Sequence, residues 1–403
     1  MLKIIFSRRM LVSFIMGFAC GLPLLLTSTV LQAWMKDAGV DLTVIGLMAL
    51  VGLPYTLKFL WAPFLDRFTL PVLGRRRGWL LIAQISLVFS IAGLGFTGPA
   101  TNPAIMVFSA LLVTFFSASQ DIVVDAYRRE DLADEELGLG SSFYINGYRV
   151  GMLLASGGGL ILADHLPFKM VYLIMATCML PGIIATLLTP EPVASTGTPK
   201  TLREAILEPL AEYFSRENAI IILAFVLLYK IGDTMASSIT TPFFLDVGFS
   251  KTEIGAVVKL FGFWATIAGS LIGGVLMLRI GINRSLWIFG ALQAISTAGF
   301  AILARIGHSL PALSGVIAFE NLTSGMGTAA YAAFMASITN RKFTATQYAL
   351  LSSLMGVPRV LASAPTGFLA KHMGWENFFI FCVFIALPGM MLLLKFAPWD
   401  PKT

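Results

Sequence analysis

Long apolar runs separated by short polar loops cover nearly the whole 403-residue chain. A helix that spans a bilayer needs about 20 mostly apolar residues. By this criterion the sequence predicts twelve spanning segments, numbered one to twelve in chain order: 10–34, 43–62, 79–98, 103–127, 138–163, 168–188, 218–245, 253–278, 284–304, 309–335, 346–370 and 376–397. The stretch 189–217 has no apolar run of spanning length. We therefore predict an all-α membrane protein with an N-terminal six-helix bundle (1–188), a linker (189–217) and a C-terminal six-helix bundle (218–403).

The composition is typical of a membrane protein and differs from that of a soluble domain. Hydrophobic residues make up 57% of the chain, charged residues only 12%, and the mean hydropathy is +0.82. A soluble domain carries about 25% charged residues. There is no Gly-x-x-x-x-Gly-Lys-Ser/Thr phosphate loop and no His-Glu-x-x-His motif, and the three cysteines lie in apolar runs without metal-ligand spacing. We expect no ATP-driven step, no enzyme activity, no metal site and no cofactor.

Lys and Arg are distributed unevenly between the loops on the two sides. Of the 28 in the chain, 18 flank one side and five the other. By the positive-inside rule the first side is cytoplasmic, together with both termini and the linker. The net charge of +6 follows from this bias and requires no nucleic-acid partner. The remaining five cations lie inside segments: Lys58, Arg149, Lys230, Lys259 and Arg359.

The two halves of the sequence repeat one another. Four pairs of stretches match at offsets of 207 to 211 residues: Gly39–Gly46 with Gly248–Gly255, Ser141-Ser142 and Arg149-Val150 with Ser352-Ser353 and Arg359-Val360, Ala163–His165 with Ala370–His372, and Leu180–Gly182 with Leu387–Gly389. Two six-helix halves in the same orientation are typical of major facilitator transporters.

Two carboxylates, Asp121 and Asp125, lie one helical turn apart on segment four and therefore share a helix face. Charges inside a bilayer are costly, so these groups must face an aqueous cavity or a partner. A carboxyl shielded from water can bind a proton near neutral pH. We predict that Asp125, and secondly Asp121, couples proton entry to solute movement. The alternative is a structural ion pair, for instance with Arg149 on segment five, where Tyr148 adds a hydroxyl.

Segment seven carries Lys230 and Asp233, three residues apart and able to pair on one helix face. Either the two satisfy each other, or Lys230 binds an anionic group of a solute. On segment ten, Glu320 and Asn321 are further candidates for solute contact.

Two more lysines lie in the apolar segments. Lys58, on segment two, and Lys259, on segment eight, are either binding cations or side chains that reach out to the water interface. The position of Lys58 near the cytoplasmic end of its segment favours the second interpretation.

The loop between segments two and three resembles a loop of the major facilitator superfamily. It reads Asp66-Arg67 and, further on, Gly74-Arg75-Arg76-Arg77-Gly78. We predict a latch in which Asp66 pairs with a helix N-terminus or an Arg across the two halves in only one conformation, with Arg67, Arg75 and Arg76 as the other latch residues. The alternative is that the positive charges only keep this loop on the cytoplasmic side of the membrane. The matching loop of the second half has Leu278-Arg279, so we expect a one-sided latch.

Several stretches resemble the AmpG muropeptide permease family. They are Gly21–Pro23, Leu31–Trp34, Lys58–Trp61, Gly74–Leu80, Ser117–Ile122, Gly147–Arg149, Glu320-Asn321 and Gly325–Thr328. The resemblance covers essentially the whole chain. It implies a bacterial inner-membrane permease, driven by the proton gradient, that imports N-acetylglucosaminyl-1,6-anhydro-N-acetylmuramic acid and its peptides for cell-wall recycling and so affects β-lactam resistance. The family's essential acid falls on Asp125. The chain departs from the family at Leu137, where relatives often have Arg.

Such a solute carries hydroxyls and carboxylates, which suit a cavity with cations, amides and aromatic rings. We expect Gln120, Tyr148, Arg149 and Lys230 to contact it, and Gln32 to lie near the periplasmic mouth. The chain is expected to act as a monomer by alternating access. Two alternatives are an acyl-CoA or other organic-anion carrier of the same superfamily, and a membrane sensor or enzyme that acts on wall fragments without carrying them.

Overall fold

The computed structural model describes residues 5–40, 48–71, 73–99, 102–192, 202–250, 253–340, 343–362 and 365–399. In these ranges the backbone is predominantly helical and contains no β-strand; a single bridge joins Leu70 to Gly74. Part of the predicted linker and part of the repeated stretch Gly39–Gly46 lie outside the described residues.

Within the described residues the helices coincide with some of the predicted segments and divide others. They are α1 (Arg8–Leu25), α2 (Leu31–Asp37), α3 (Leu53–Leu57), α4 (Ala62–Arg67), α5 (Gly74–Gly95), α6 (Pro103–Asp131), α7 (Leu137–Leu153), α8 (Gly159–Ala163), α9 (Phe168–Thr177), α10 (Leu180–Leu188), α11 (Leu202–Ser215), α12 (Ala219–Leu228), α13 (Ile231–Ser238), α14 (Thr240–Val247), α15 (Gly262–Ile306), α16 (Leu310–Ser337), α17 (Thr344–Leu354), α18 (Gly356–Leu361), α19 (Thr366–Met373), α20 (Trp375–Met391) and α21 (Leu393–Phe396).

Short stretches of other helix types join these elements. The π-helical stretches are Leu26–Val30, Leu154–Gly158 and Ile254–Phe261, and the 3₁₀ stretches are Met48–Gly52, Lys58–Leu60 and Asp134–Glu136. Segments one and five therefore continue as helix through a wider turn rather than ending there.

Seven helical runs of the described chain are long and apolar enough to cross a bilayer: Arg8–Met35, Gly74–Gly95, Pro103–Asp131, Phe168–Leu188, Ala219–Ser238, Ala256–Ile306 and Trp375–Phe396. The longest run consists of two helices that correspond to predicted segments eight and nine and meet at Gly281, where the backbone is not helical and φ is 78°. That conformation favours glycine. Segments two and eleven are divided into shorter helices, and Pro54 lies in the first turn of α3. The chain is thus a multi-pass membrane protein, and the count of twelve spans stays a prediction.

The chain forms two compact units. Unit 1 comprises Met1–Leu210 and Ile338–Ser353, and unit 2 comprises Ala211–Ser337 and Leu354–Thr403. The first boundary falls inside the predicted linker. Residues 338–353, from the second half of the sequence, belong to unit 1, and the division into two six-helix bundles stays a prediction.

In unit 1, α1 and α7 pack backbone against backbone. A Cβ atom placed on Gly21 would lie 2.0 Å from the Tyr148 carbonyl oxygen, and one on Gly147 would lie 1.9 Å from the Phe14 carbonyl oxygen. Only glycine permits so close an approach, which is a common way for membrane helices to associate. The contact fixes the part of α7 that carries Tyr148 against α1.

In unit 2, α15 and α16 associate in the same way. A Cβ atom on Gly269 would lie 2.0 Å from the Leu322 carbonyl oxygen, and one on Gly325 would lie 2.3 Å from the Thr266 carbonyl oxygen. The close approach of the two backbones brings the polar side chains of α16 next to those of α15.

Candidate functional site

Asp125 lies near the C-terminal end of α6 and is buried, with 5% of its surface exposed. Its Oδ1 atom accepts a hydrogen bond from Arg128 Nη2 at 3.2 Å. The two residues are three apart on one helix, which puts them on the same face. Arg149 is the example given above of an ion-pair partner for these acids; the structure shows Arg128 as the partner of Asp125.

Arg128 is enclosed by groups from two other helices of unit 1. It donates to Ser141 Oγ on α7 and, at 3.0 Å, to Tyr348 Oη on α17. Its guanidinium carbon lies 4.7 Å from the ring centroid of Tyr144 and 5.7 Å from that of Tyr348. These contacts hold the cation in place independently of Asp125. Asp125 can therefore gain or lose a proton without leaving Arg128 unpartnered.

Asp121 is the second buried acid of this face. Lys58 interacts electrostatically with Asp121 and with Asp125, and only 7% of the Lys58 surface is exposed. The interpretation of Lys58 as a side chain that reaches the water interface is therefore wrong. Lys58 begins a short 3₁₀ stretch, Lys58–Leu60, within the divided segment two. Sequence spacing alone does not report its burial.

Three buried polar atoms at and around Asp121 lack a hydrogen-bond partner at normal distance among the residues described: Asp121 Oδ1, Ser117 Oγ and Tyr55 Oη. Ser117 lies one turn before Asp121 on α6, and Tyr55 faces both of them. An unsatisfied buried polar group costs about 1–3 kcal/mol. Such atoms mark a place where water or a polar ligand binds. Tyr55 was not among the predicted site residues; the available signal was its position three residues before Lys58 in an apolar segment.

The other residues of unit 1 that were predicted to contact the solute have surroundings different from those of Asp121 and Asp125. Gln120 is fully buried, and its Nε2 donates to the Ala19 carbonyl oxygen of α1 at 2.9 Å, so it ties α6 to α1. Tyr148 and Arg149 are half-buried on α7, and Gln32 is half-buried on α2.

In unit 2, Lys230 lies at the break between α12 and α13. Its Nζ atom is 3.2 Å from Asp233 Oδ2 and donates to Thr328 Oγ1 at 3.0 Å. The predicted local pair is therefore present, and Lys230 also reaches α16. A broken helix with a charged residue at the break is a common construction for a transporter binding site.

Glu320 and Asn321 of α16 face α15. Glu320 is 7% exposed, and its Oε2 accepts from Ser296 Oγ at 2.5 Å. The Glu320 carboxyl also interacts electrostatically with the Asp233 carboxyl. Asn321 Oδ1 accepts from Thr266 Oγ1 at 2.8 Å, a contact that ties α16 to α15.

Asp66 is completely buried at the end of α4. It accepts hydrogen bonds from Arg76 Nη2 at 2.8 Å, from the Thr346 backbone N–H at 2.8 Å and from the Ala345 backbone N–H at 3.4 Å. It thus contacts both an Arg and the N-terminus of α17, where a negative charge is favourable.

Glu130, on α6, completes the network around Asp66 and was not among the predicted latch residues. Its Oε1 atom lies 2.5 Å from Arg76 Nη2 and 3.1 Å from Arg75 Nη2. Arg67 has a different contact, because its guanidinium carbon lies 5.3 Å from the ring centroid of Phe68.

Comparison with known proteins gives consistent matches over the whole chain. A sequence profile of the Major Facilitator Superfamily matches residues 10–232 and 227–403. The anhydromuropeptide permease of Escherichia coli (strain K12) is 46% identical over 395 residues, which cover 98% of this chain and 80% of that protein. Putative transporter AmpG 4 of Rickettsia felis is 32% identical over 403 residues, 97% of each chain. The proton:xylose symporter XylE has the same fold, with a TM-score of 0.73 over 98% of this chain and 96% of that one at 12% identity.

Proposed function

Because the chain belongs to the Major Facilitator Superfamily, and within it to the family of anhydromuropeptide permeases, we propose that it imports anhydromuropeptides by alternating access. The solutes are N-acetylglucosaminyl-1,6-anhydro-N-acetylmuramic acid and its peptides, carried from periplasm to cytoplasm for cell-wall recycling. The identity of 46% over 98% of the chain supports this substrate class. We place the protein in the bacterial inner membrane as a monomer, with both termini cytoplasmic, in keeping with the Lys and Arg distribution.

Proton coupling is part of the proposal, and the buried pair of Asp125 and Arg128 is the observation that carries it. A proton from the periplasm binds the Asp125 carboxylate and removes its charge. Arg128 then keeps Ser141 and Tyr348 as partners. Release of that proton to the cytoplasm restores the pair. A change of one charge inside a low-dielectric site is large enough to shift a conformational equilibrium.

We propose candidate solute contacts in each unit, taken separately. In unit 1 the buried polar atoms around Asp121 suit carbohydrate hydroxyls, and Lys58 and Arg149 suit carboxylates. In unit 2 Lys230 provides a further cation. The other proposed solute contacts are Gln32, Gln120 and Tyr148 in unit 1, and Asp233, Glu320 and Asn321 in unit 2.

The Asp66 contacts support the latch as part of the same cycle. We propose that the cap on α17, together with the pairs to Arg76, forms in the conformation described and breaks in another. Arg75 joins through Glu130, and Arg67 flanks the network.

The test is uptake of labelled anhydro-disaccharide by proteoliposomes that contain the purified protein. We expect uptake when the outside is more acidic than the inside, and its loss when a protonophore collapses the gradient. Coenzyme A thioesters in excess should leave uptake unchanged; competition by them would favour the organic-anion carrier. The solute should be recovered unmodified inside. Binding without any uptake would overturn transport in favour of a sensor.

A further inference from the structure

Lys230 carries its charge inside a membrane span of unit 2. It lies within the run Ala219–Ser238, and 16% of its side chain is exposed. A charge exposed to lipid is costly, so an exposed lysine in a span faces a water-filled path. The backbone next to it is fixed, because a Cβ atom on Gly232 would lie 2.3 Å from the Cys382 carbonyl oxygen of α20. The ammonium group is therefore presented to water from a rigid base.

Two of the three ammonium hydrogens of Lys230 have partners. A lysine ammonium has three donors and no acceptor. Its Nζ atom lies 3.2 Å from Asp233 Oδ2, on its own side of the break, and donates to Thr328 Oγ1 of α16 at 3.0 Å. Within the part of the chain that the structure describes, one donor is thus left for a ligand.

Thr328 is a fixed acceptor for this lysine. Its hydroxyl donates to the Ser324 carbonyl oxygen at 2.7 Å, so its oxygen accepts from Lys230. The helix that carries it is held against α15, since a Cβ atom on Gly325 would lie 2.3 Å from the Thr266 carbonyl oxygen. The Thr328 oxygen therefore sets the direction in which the ammonium group points.

We propose that Thr328 is a positioning residue for Lys230, and that the third ammonium hydrogen of Lys230 binds a carboxylate of the solute. Asp233 balances the charge of the lysine, but an ion pair alone leaves a flexible four-carbon side chain free to turn about it. A second contact, from a different helix, removes that freedom before the solute arrives, which strengthens binding.

The chemistry of the proposed solute identifies the carboxylate. The peptide-free anhydro-disaccharide carries one, on the lactyl group of its muramic acid, and a carboxylate accepts a charge-assisted hydrogen bond from an ammonium group. The identity of the solute rests on the proposed function, whereas the positioning of the lysine rests on the contacts within unit 2.

Binding of two matched solutes to the full-length protein in detergent micelles tests the assignment. One is the anhydro-disaccharide with its free lactyl carboxylate, and the other is its primary carboxamide. The wild-type protein should prefer the acid by about tenfold, the usual effect of one hydrogen bond to a charged group. Thr328→Val should remove most of this preference, and Thr328→Ser, which keeps the acceptor oxygen, should restore it.

Thr177→Val is the matched control. It makes the same change at an exposed threonine of unit 1, whose hydroxyl donates to the Ile174 carbonyl oxygen at 2.7 Å, and should keep the wild-type preference. A Thr328→Val protein that still prefers the acid by the wild-type factor would overturn the proposal. Equal weakening of both solutes would also overturn it, because a purely structural tie between α13 and α16 affects them alike.

A measurement without solute separates this proposal from the proposed function. Acetylation of lysines by an N-hydroxysuccinimide ester, followed by mass spectrometry of peptides, reports how firmly each amine is held. We expect Lys230 to react several times faster in Thr328→Val than in the wild type, relative to the exposed Lys259. Equal relative rates would overturn the positioning. If the wild-type protein binds neither solute, the proposed substrate class fails, and the acetylation rates still decide whether Thr328 holds Lys230.

Discussion

Asp66 and Thr346 lie 280 residues apart in the chain, yet Asp66 Oδ2 accepts hydrogen bonds from both the backbone N–H of Thr346, at 2.8 Å, and its hydroxyl, at 2.7 Å. One carboxylate therefore caps α17 while it also pairs with Arg76. The cap links residues 338–353 to the rest of unit 1. The matching loop of the second half has no acid, so the structural role falls on this residue alone.

Asp66→Ala should therefore destabilise the protein. The substitution removes the cap of α17 and one of the carboxylates that pair with the buried Arg76. Breaking a buried ion pair lowers the free energy of unfolding by about 3 kcal/mol or more. We expect the smaller value, because Glu130 still pairs with Arg76. The measurement is unfolding in detergent micelles. Arg67→Gln is the matched control, since Arg67 contacts the ring of Phe68 instead. Equal unfolding transitions for the two variants would contradict this account.

Gly21→Ala should disrupt the contact between α1 and α7. The added methyl carbon would lie 2.0 Å from the Tyr148 carbonyl oxygen, a distance that requires the backbones to separate. Gly93→Ala introduces the same atom on α5 with nothing within 4 Å, and should be neutral or slightly stabilising, by about 0.5–1 kcal/mol. Thermal unfolding of both purified variants makes the comparison. A Gly21→Ala protein as stable as Gly93→Ala would show that the helices tolerate separation.

Lys58→Gln should reduce uptake strongly while leaving membrane insertion intact. The change removes a buried cation that interacts with both Asp121 and Asp125. Lys259→Gln removes an exposed lysine and should retain wild-type uptake. Proteoliposome uptake at matched protein density measures both. If the two variants behave alike, Lys58 does not act in the acidic cluster.

Tyr55→Phe should reduce uptake while leaving the unfolding transition almost unchanged. Its hydroxyl has no partner at normal distance within the described residues, so its removal should change the unfolding transition little. If that hydroxyl binds water or solute, uptake falls. Tyr172→Phe is the converse control: it removes a hydroxyl that donates to the Leu26 carbonyl oxygen at 2.9 Å and should cost about 1 kcal/mol. Unchanged uptake by Tyr55→Phe would exclude the hydroxyl from the solute site.

Much of the fold could be predicted because membrane helices are recorded in the sequence as apolar runs. The helical boundaries of segments four and six match those predicted within a few residues. Ion pairs between residues three or four apart could also be predicted, because their spacing alone brings the side chains together. Lys230 and Asp233 are an example.

Contacts between helices could not be predicted in this way. The partners of Arg128 come from α7 and α17, and Glu130 meets Arg76 from α5. Those pairings depend on how the helices pack, which no spacing rule specifies. The burial of Lys58 was not predicted for the same reason, since it depends on the helices that pack around it.

Proton-driven uptake by Asp125→Asn is the most direct test of the account. Asn matches Asp in shape and cannot bind or release the proton, so we expect a folded, inserted protein whose uptake falls to the level of protein-free vesicles. Asp164→Asn, which changes an exposed acid, should take up solute at the wild-type rate. Wild-type, gradient-dependent uptake by Asp125→Asn would contradict the central claim.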